Sequence, residues 1–199
     1  MKKWGLIFFF IYSTVVLAQS GVYKSEADRF TTYSSLSSAL SNPMAVVRLD
    51  LSRSKLKEVP SDLAQFKNLK YLDLSGNKLE EIPDFVFELP FLLELDVSQN
   101  KLIDLPFSVE KASNLKVLKA GNNPLQSIPY TIKGAENLVQ LDLIHTEIRI
   151  FPSELKELKK LQLLELRGIK IEVEQKKLIE EYLPNSKIYF TNGCNCGPF

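Results

Sequence analysis

The stretch that decides the fold is Leu69–Leu79, which reads LKYLDLSGNKL. Leu72 and Leu74 flank Asp73, the alternation of a short strand that buries one side and exposes the other. An apolar residue occupies the first position of this stretch again at intervals of 23 residues. Its six occurrences are Val46, Leu69, Leu92, Leu115, Leu138 and Leu161.

Five prolines keep the same interval, and each follows an apolar residue. They are Pro60, Pro83, Pro106, Pro129 and Pro152. Two apolar positions spaced three residues apart come after each proline, as at Leu63 and Phe66, which predicts a 3₁₀ or helical turn with one side inward. A proline at the beginning of such a turn removes an N–H group that has no partner there.

The asparagine of the repeat predicts hydrogen bonds between neighbouring units. An amide such as that of Asn77 both donates and accepts, so it can satisfy backbone groups buried between neighbouring turns. Ser54 and Thr146 can do part of this at the equivalent positions, whereas Ile169 can do none of it. One unit cannot bury its apolar side alone, but stacked units can, with a parallel sheet on one face.

These residues resemble the leucine-rich-repeat family in its 23-residue class, LxxLxLxxNxLxxIPxxΦxxLxx. The resemblance covers residues 46–183. It implies an α/β solenoid of six repeats with a parallel concave sheet, convex 3₁₀ or helical turns, and terminal caps. The class includes animal Ras-pathway scaffolds, plant Ras-group repeat proteins and many bacterial proteins, so the resemblance implies a fold and not one function.

The ends of the chain depart from the repeat. Residues 19–45 are predicted to form a mobile N-terminus, over 19–29, and then a helical cap over 30–43. Four residues are spaced for one side of that helix: Phe30, Tyr33, Leu36 and Leu40. The string from Ala39 to Leu51 resembles the cap of secreted repeat proteins from the Bacteroidetes group.

The C-terminal end is predicted to contain a helix from Val173 to Tyr182 and, over residues 184–199, a terminating strand and a tail. The strand pattern restarts at Leu183, one residue early, which predicts a shortened last unit.

The first eighteen residues have the layout of a secretory signal peptide. Lys2 and Lys3 precede an apolar run from Leu6 to Leu17, and cleavage is expected between Ala18 and Gln19. Twelve helical residues reach about 18 Å, short of a hydrocarbon core of about 30 Å. We therefore expect an exported protein, periplasmic, cell-surface or secreted, with no transmembrane segment after cleavage.

Composition and motifs argue against several classes of function. A formal net charge of +1 is too close to neutral to indicate nucleic acid or an anionic membrane as partner. His145 is the only histidine, and its position in a turn indicates an exposed or edge residue. No phosphate loop, nucleophile elbow or paired metal-ligand motif is present. The sequence thus predicts no enzyme, no cofactor and no metal.

Cys194 and Cys196 form one unusual local feature, a CxC motif. Two thiols alone do not complete a zinc site, and a bridge between them would close a small ring that is easily reduced. A local disulfide, links between chains, and a redox or soft-metal role all stay open. Exported domains commonly oxidise their thiols, which favours the first.

The concave face is the predicted binding surface, because solenoids bind there. One file of side chains between the strand leucines contains Arg48, Tyr71, Glu94, Val117, Gln140 and Leu163. The neighbouring file contains Asp50, Asp73, Asp96, Lys119, Asp142 and Glu165. A cationic or polar partner could dock on this stripe, with Tyr71, Val117 and Leu163 as apolar anchors. Because the family resemblance implies aspartate as the common residue in the second file, a purely structural role for the acids stays open.

The sequence as a whole indicates an exported bacterial binding module that recognises an unidentified protein partner on its concave face. The alternative is a redox or metal-handling protein that uses Cys194 and Cys196, with the solenoid as a scaffold.

Overall fold

The computed structural model describes residues 25–191, in which eight strands form one parallel sheet in sequence order. The strands are β1 (Thr32–Tyr33), β2 (Arg48–Asp50), β3 (Tyr71–Asp73), β4 (Glu94–Asp96), β5 (Val117–Lys119), β6 (Gln140–Asp142), β7 (Leu163–Leu166) and β8 (Lys187–Phe190). The predicted signal peptide and the CxC motif lie outside the described residues. The sheet confirms the predicted solenoid.

The hydrophobic core lies between the sheet and the convex turns. The central residue of each repeat strand is a leucine that lies opposite its equivalent in the next strand and is at most 2% exposed. These residues are Leu49, Leu72, Leu95, Leu118, Leu141 and Leu164. Full burial of one such side chain contributes about 1.5–3 kcal/mol relative to exposure. Stacking of the repeats therefore buries these leucines and stabilises the fold, which a single repeat could not do alone.

The asparagines connect neighbouring repeats as predicted. The side-chain amide of Asn100 donates to the carbonyls of Leu74 and Val97, both at 3.0 Å, and its oxygen accepts the N–H of Leu79 at 3.0 Å. Equivalent bonds are made by Asn77 and Asn123. Each amide thus satisfies backbone groups of two repeats inside the coil.

The residue before the asparagine position adopts a left-handed backbone conformation in every repeat. These residues are Arg53, Gly76, Gln99, Asn122, His145 and Gly168, with φ between 51° and 82°. This conformation reverses the chain sharply after the strand and turns the following side chain inward. Glycine fills the position at no steric cost, while the others accept a modest strain.

The convex side consists of 3₁₀ turns that follow the five prolines, as the spacing predicts. The turns are Ser61–Gln65, Asp84–Val86, Phe107–Lys111, Tyr130–Gly134 and Ser153–Glu157. At Gly134 the third and fourth of these turns come so close that an added Cβ would lie 2.3 Å from the carbonyl oxygen of Glu110. Glycine therefore permits a contact between two backbones at this position.

The N-terminal cap differs from the prediction of one helix over residues 30–43. Thr32 and Tyr33 form strand β1, which pairs with β2, and only Leu36–Leu40 is α-helical (α1). Phe30 and Tyr33 have helical spacing but serve different contacts, because Phe30 packs on a ring of the concave face and Tyr33 packs on the core. The cap thus extends the sheet by one strand.

The C-terminal end contains helix α2 (Val173–Tyr182), as predicted, followed by β8. Leu164 lies opposite Ile188, a spacing of 24 residues, so the prediction that the last unit is shortened by one residue is wrong. A ten-residue α-helix here replaces the 3₁₀ turn of the other repeats and lengthens the connection. Within residues 25–191, no helix has the length and apolar character needed to cross a membrane.

Candidate binding face

Strand register arranges the predicted site residues in two continuous files. Arg48, Tyr71, Glu94, Val117, Gln140 and Leu163 lie opposite one another in sequence, and so do Asp50, Asp73, Asp96, Lys119, Asp142 and Glu165. Thr32 and Lys187 extend the first file, and Tyr189 extends the second. The sequence analysis missed these three because β1 and β8 fall outside the 23-residue phase.

The acids of the second file have a clear structural role. The Asp73 carboxylate accepts the N–H of Ser75 at 2.8 Å, and Asp142 accepts the N–H of Ile144 at 3.0 Å. The same bond, to the N–H two residues later, is accepted by Asp50, Asp96 and Glu165. Each acid thus uses one carboxylate oxygen to stabilise the turn that follows its strand. This bond favours a structural role for that oxygen and leaves the second oxygen to other contacts.

Lys119 interrupts the row of acids in the second file, and the acids on its two sides differ in their ion pairing. Its ammonium lies 3.4 Å from a carboxylate oxygen of Asp96. Asp142, on the other side of Lys119, makes no ion pair within residues 25–191, and burial together with nearby Glu165 raises its pKa, while the Ile144 N–H opposes the rise. A negative charge that is half-buried and incompletely compensated therefore lies at the middle of the face.

Residues 25–30, here called the N-terminal segment, lie against the first strands of the concave face. Asp28 accepts a hydrogen bond from the Arg48 guanidinium at 2.7 Å, and the Phe30 ring centroid is 5.7 Å from that of Tyr71. Residues 27–29 form a 3₁₀ turn. The sequence analysis predicted a mobile stretch over residues 19–29; in the structure residues 25–29 instead make specific contacts.

This arrangement changes the status of the predicted anchors. Tyr71 is 5% exposed and Val117 is 4% exposed, so neither offers an apolar surface to a partner. Burial, and then the charges of Glu94 and Glu26, raise the pKa of the Tyr71 phenol. Among the three predicted anchors, only Leu163 is partly exposed.

The C-terminal end of the face carries a second charged group. Glu165 accepts two hydrogen bonds from the Arg167 guanidinium, at 2.8 and 2.7 Å. That guanidinium also lies 5.5 Å from the ring centroid of Tyr189. Glu165 thus has an ion-pair partner, whereas Asp142, its neighbour in the file, has none within residues 25–191. The two acids therefore differ in their capacity to bind a cation.

His145 makes structural contacts with two neighbouring repeats. Its Nδ1 lies 3.2 Å from the side-chain oxygen of Asn122, and its ring covers Gly168, where an added Cβ would meet the ring at 1.9 Å. Within residues 25–191 no cluster of three or more histidine, cysteine or acidic side chains is arranged to hold a metal ion. Cys194 and Cys196 lie outside these residues, so their role stays a prediction.

Solved structures of bacterial repeat proteins are similar to this chain. A leucine-rich-repeat protein of Leptospira interrogans is 35% identical, with a TM-score of 0.66 over 71% of this chain and 35% of that protein. Internalin C2 of Listeria monocytogenes is 24% identical, with a TM-score of 0.65 over 76% of this chain and 64% of that protein. The latter likeness concerns the fold alone. The chain thus spans between about a third and two thirds of their length.

A more distant likeness is to a plant peptide hormone receptor, which is 26% identical with a TM-score of 0.52 over 57% of this chain and 19% of the receptor. No curated protein sequence matches the chain. The family described as "Leucine-rich repeat region" matches residues 30–186, which include all the repeats and most of both caps. Its solenoids are typical protein-binding scaffolds. The family match, the strand register and the ladder of hydrogen bonds made by Asn77, Asn100 and Asn123 agree, and the chain belongs to the leucine-rich-repeat family.

Proposed function

We propose that this protein is an exported recognition module that binds another protein on the uncovered part of its concave face. We call this part the open concave face. It consists of Glu94, Asp96, Lys119, Gln140, Asp142 and Leu163. Export rests on the signal-like first eighteen residues of the sequence. The fold supports the binding role, since stacked repeats present a long concave surface of rigidly placed side chains.

The observation that carries the proposal is the carboxylate of Asp142, which Lys119 compensates only in part, together with partly exposed Leu163 on the next strand. A cationic side chain of a partner would complete the alternation of charge that Asp96 and Lys119 begin. Leu163 would contribute apolar contact next to that ion pair. Arg48 and Tyr71, by contrast, hold the N-terminal segment and would act on binding only through it.

Lys119→Glu is expected to strengthen binding of a cationic partner by roughly tenfold, because it removes the positive charge beside Asp142 and adds a negative one to the face. The partner is captured with the purified mature protein, identified by mass spectrometry, and its affinity is measured by calorimetry for each variant. Lys133→Glu, on an exposed convex position, is the matched control and should keep the affinity of the unmodified protein. Equal affinities for all three proteins would place the binding surface elsewhere.

Asp142→Asn is expected to raise thermal stability at neutral pH and to weaken binding of a cationic partner. The pKa of Asp142 is raised in the folded state, so its charged form opposes folding above that pKa, and the penalty disappears as pH falls below about 4. The amide keeps an oxygen for the Ile144 N–H without the charge. The melting temperatures of the two proteins should therefore converge at low pH.

Glu136→Gln is the control for this pH dependence, because Glu136 is an exposed acid on the convex side. Its melting temperature should follow that of the unmodified protein at every pH. A loss of stability in Asp142→Asn at neutral pH would show that the bond to Ile144 outweighs the burial of charge.

A further inference from the structure

A strip of exposed apolar side chains runs along the solenoid where the chain enters the convex turns. Its members are Ile103, Phe107, Tyr130 and Ile150, which are 51%, 64%, 55% and 70% exposed. The ring centroids of Phe107 and Tyr130 are 5.6 Å apart, so the strip is continuous across two repeats. We call these four residues the apolar strip.

The fold itself does not require these side chains. At the position of Phe107 and Tyr130, the other repeats have Ser61, Asp84 and Ser153, and each of these begins the same 3₁₀ turn after a proline. Neither the turn nor the core therefore depends on an aromatic residue there. Exposed apolar side chains that contact one another, as Phe107 and Tyr130 do, are typical of interaction surfaces.

The backbone under the strip is held in place by a second, shorter ladder. The N–H of Gln126 donates to the carbonyl of Ile103 at 2.9 Å, and Ser127 forms a parallel bridge with Ile150. The Ser127 hydroxyl also donates to Asp104 at 3.1 Å. Because the strip is already ordered, a partner would bind it with little loss of backbone freedom.

An acidic groove continues the strip toward the N-terminal repeats. Ile103 lines it together with Phe85 and four acids, namely Glu80, Glu81, Asp84 and Asp104.

Two lysines lie near this groove. The Lys101 ammonium is 3.9 Å from a carboxylate oxygen of Glu80. The Lys111 ammonium pairs with Glu88 at 2.6 Å and also interacts electrostatically with Asp84. Within residues 25–191, the other three acids of the groove make no ion pair. The groove therefore keeps a net negative charge next to an exposed aromatic pair.

We propose that the apolar strip and the acidic groove form a second docking surface, which takes a basic segment of another protein. Lysine or arginine side chains of that segment enter the groove, and apolar side chains beside them pack on Phe107 and Tyr130. Arginine pairs with carboxylates and also stacks on aromatic rings, so one residue type satisfies both parts of the surface. An anionic membrane would be repelled by the same acids.

The test uses a short fluorescent peptide in which arginine alternates with leucine and tryptophan, and a second peptide with glutamate in place of arginine. Anisotropy measures the binding of each to the mature protein. The double variant Phe107→Ser with Tyr130→Ser carries the residue that other repeats have at this position, so it should fold normally, which circular dichroism verifies. Met44→Ser, at an apolar side chain that is 61% exposed and lies outside both surfaces, is the matched control.

We expect the basic peptide to bind the unmodified protein and the Met44→Ser variant alike, and to bind the double variant roughly tenfold or more weakly. The acidic peptide should not bind. The proposal is overturned if both peptides bind equally, if neither binds, or if the double variant binds as well as the unmodified protein. It is also overturned if the unmodified protein self-associates in sedimentation and the double variant does not, because the strip is then covered by a second copy. Since the two faces are tested by different variants, failure here leaves the concave-face proposal unaffected.

Discussion

Asn100→Ala is expected to lower the free energy of unfolding by about 2–4 kcal/mol. The substitution leaves the buried N–H of Leu79 without its acceptor. It also removes one of the two amide bonds to each of the carbonyls of Leu74 and Val97, which keep the bonds from Asn77 and Asn123. Each buried polar group left without a partner costs about 1–3 kcal/mol. Asn100 is 8% exposed and bonds to two repeats at once, so these losses add within one site.

Asn114→Ala is the matched control, because Asn114 is an exposed asparagine whose side chain donates one bond, to the carbonyl of Pro90 at 2.9 Å. We expect a loss of about 1 kcal/mol or less there. Urea titrations followed by circular dichroism give both values, and a repeat protein is checked for intermediates by a second probe. Similar losses in the two variants would mean that the ladder contributes nothing beyond an ordinary surface hydrogen bond.

Gly134→Ala is expected to destabilise the protein by about 1–3 kcal/mol, although alanine normally favours folding by restricting the unfolded chain. The added Cβ would lie 2.3 Å from the carbonyl oxygen and 2.5 Å from the Cα of Glu110. Both are backbone atoms, so relief requires that two convex turns move apart. Such a movement disturbs the packing of Val109 and Ile132, which are completely buried beneath those turns.

Glu157→Ala tests the same position of the next repeat, where the side chain is exposed. It should leave the urea midpoint almost unchanged. A higher urea midpoint for Gly134→Ala would contradict this prediction. It would show that the two turns can move apart without a loss of stability.

The repeats could be predicted because their determinants recur. The apolar positions, the prolines and the asparagines each report one environment several times, so a single ambiguous residue such as Thr146 does not disturb the interpretation. The concave files follow directly, since strand alternation and the repeat interval together fix which side chains are neighbours.

The ends could not be predicted in this way, because each of their contacts occurs once. Phe30 packs on Tyr71, a residue of another repeat, and nothing in the local spacing of Phe30 indicates that partner. Tyr71 is 5% exposed and in contact with Phe30, and this contact lies outside its own repeat, where the repeat pattern carries no information. The spacing error before β8 has a similar origin, in a helix that replaces a turn.

Strand pairing between immediate neighbours has a consequence for how such a protein can change over generations. Each asparagine bonds to its own turn and the preceding one, and each strand pairs with the strands beside it. Duplication or loss of one whole 23-residue unit would reproduce every interface, whereas insertion of a single residue within a strand or its asparagine turn would shift that unit out of register with its neighbours. The gene can therefore lengthen or shorten in whole coils, and the single 24-residue spacing is found before β8, where no further repeat has to follow.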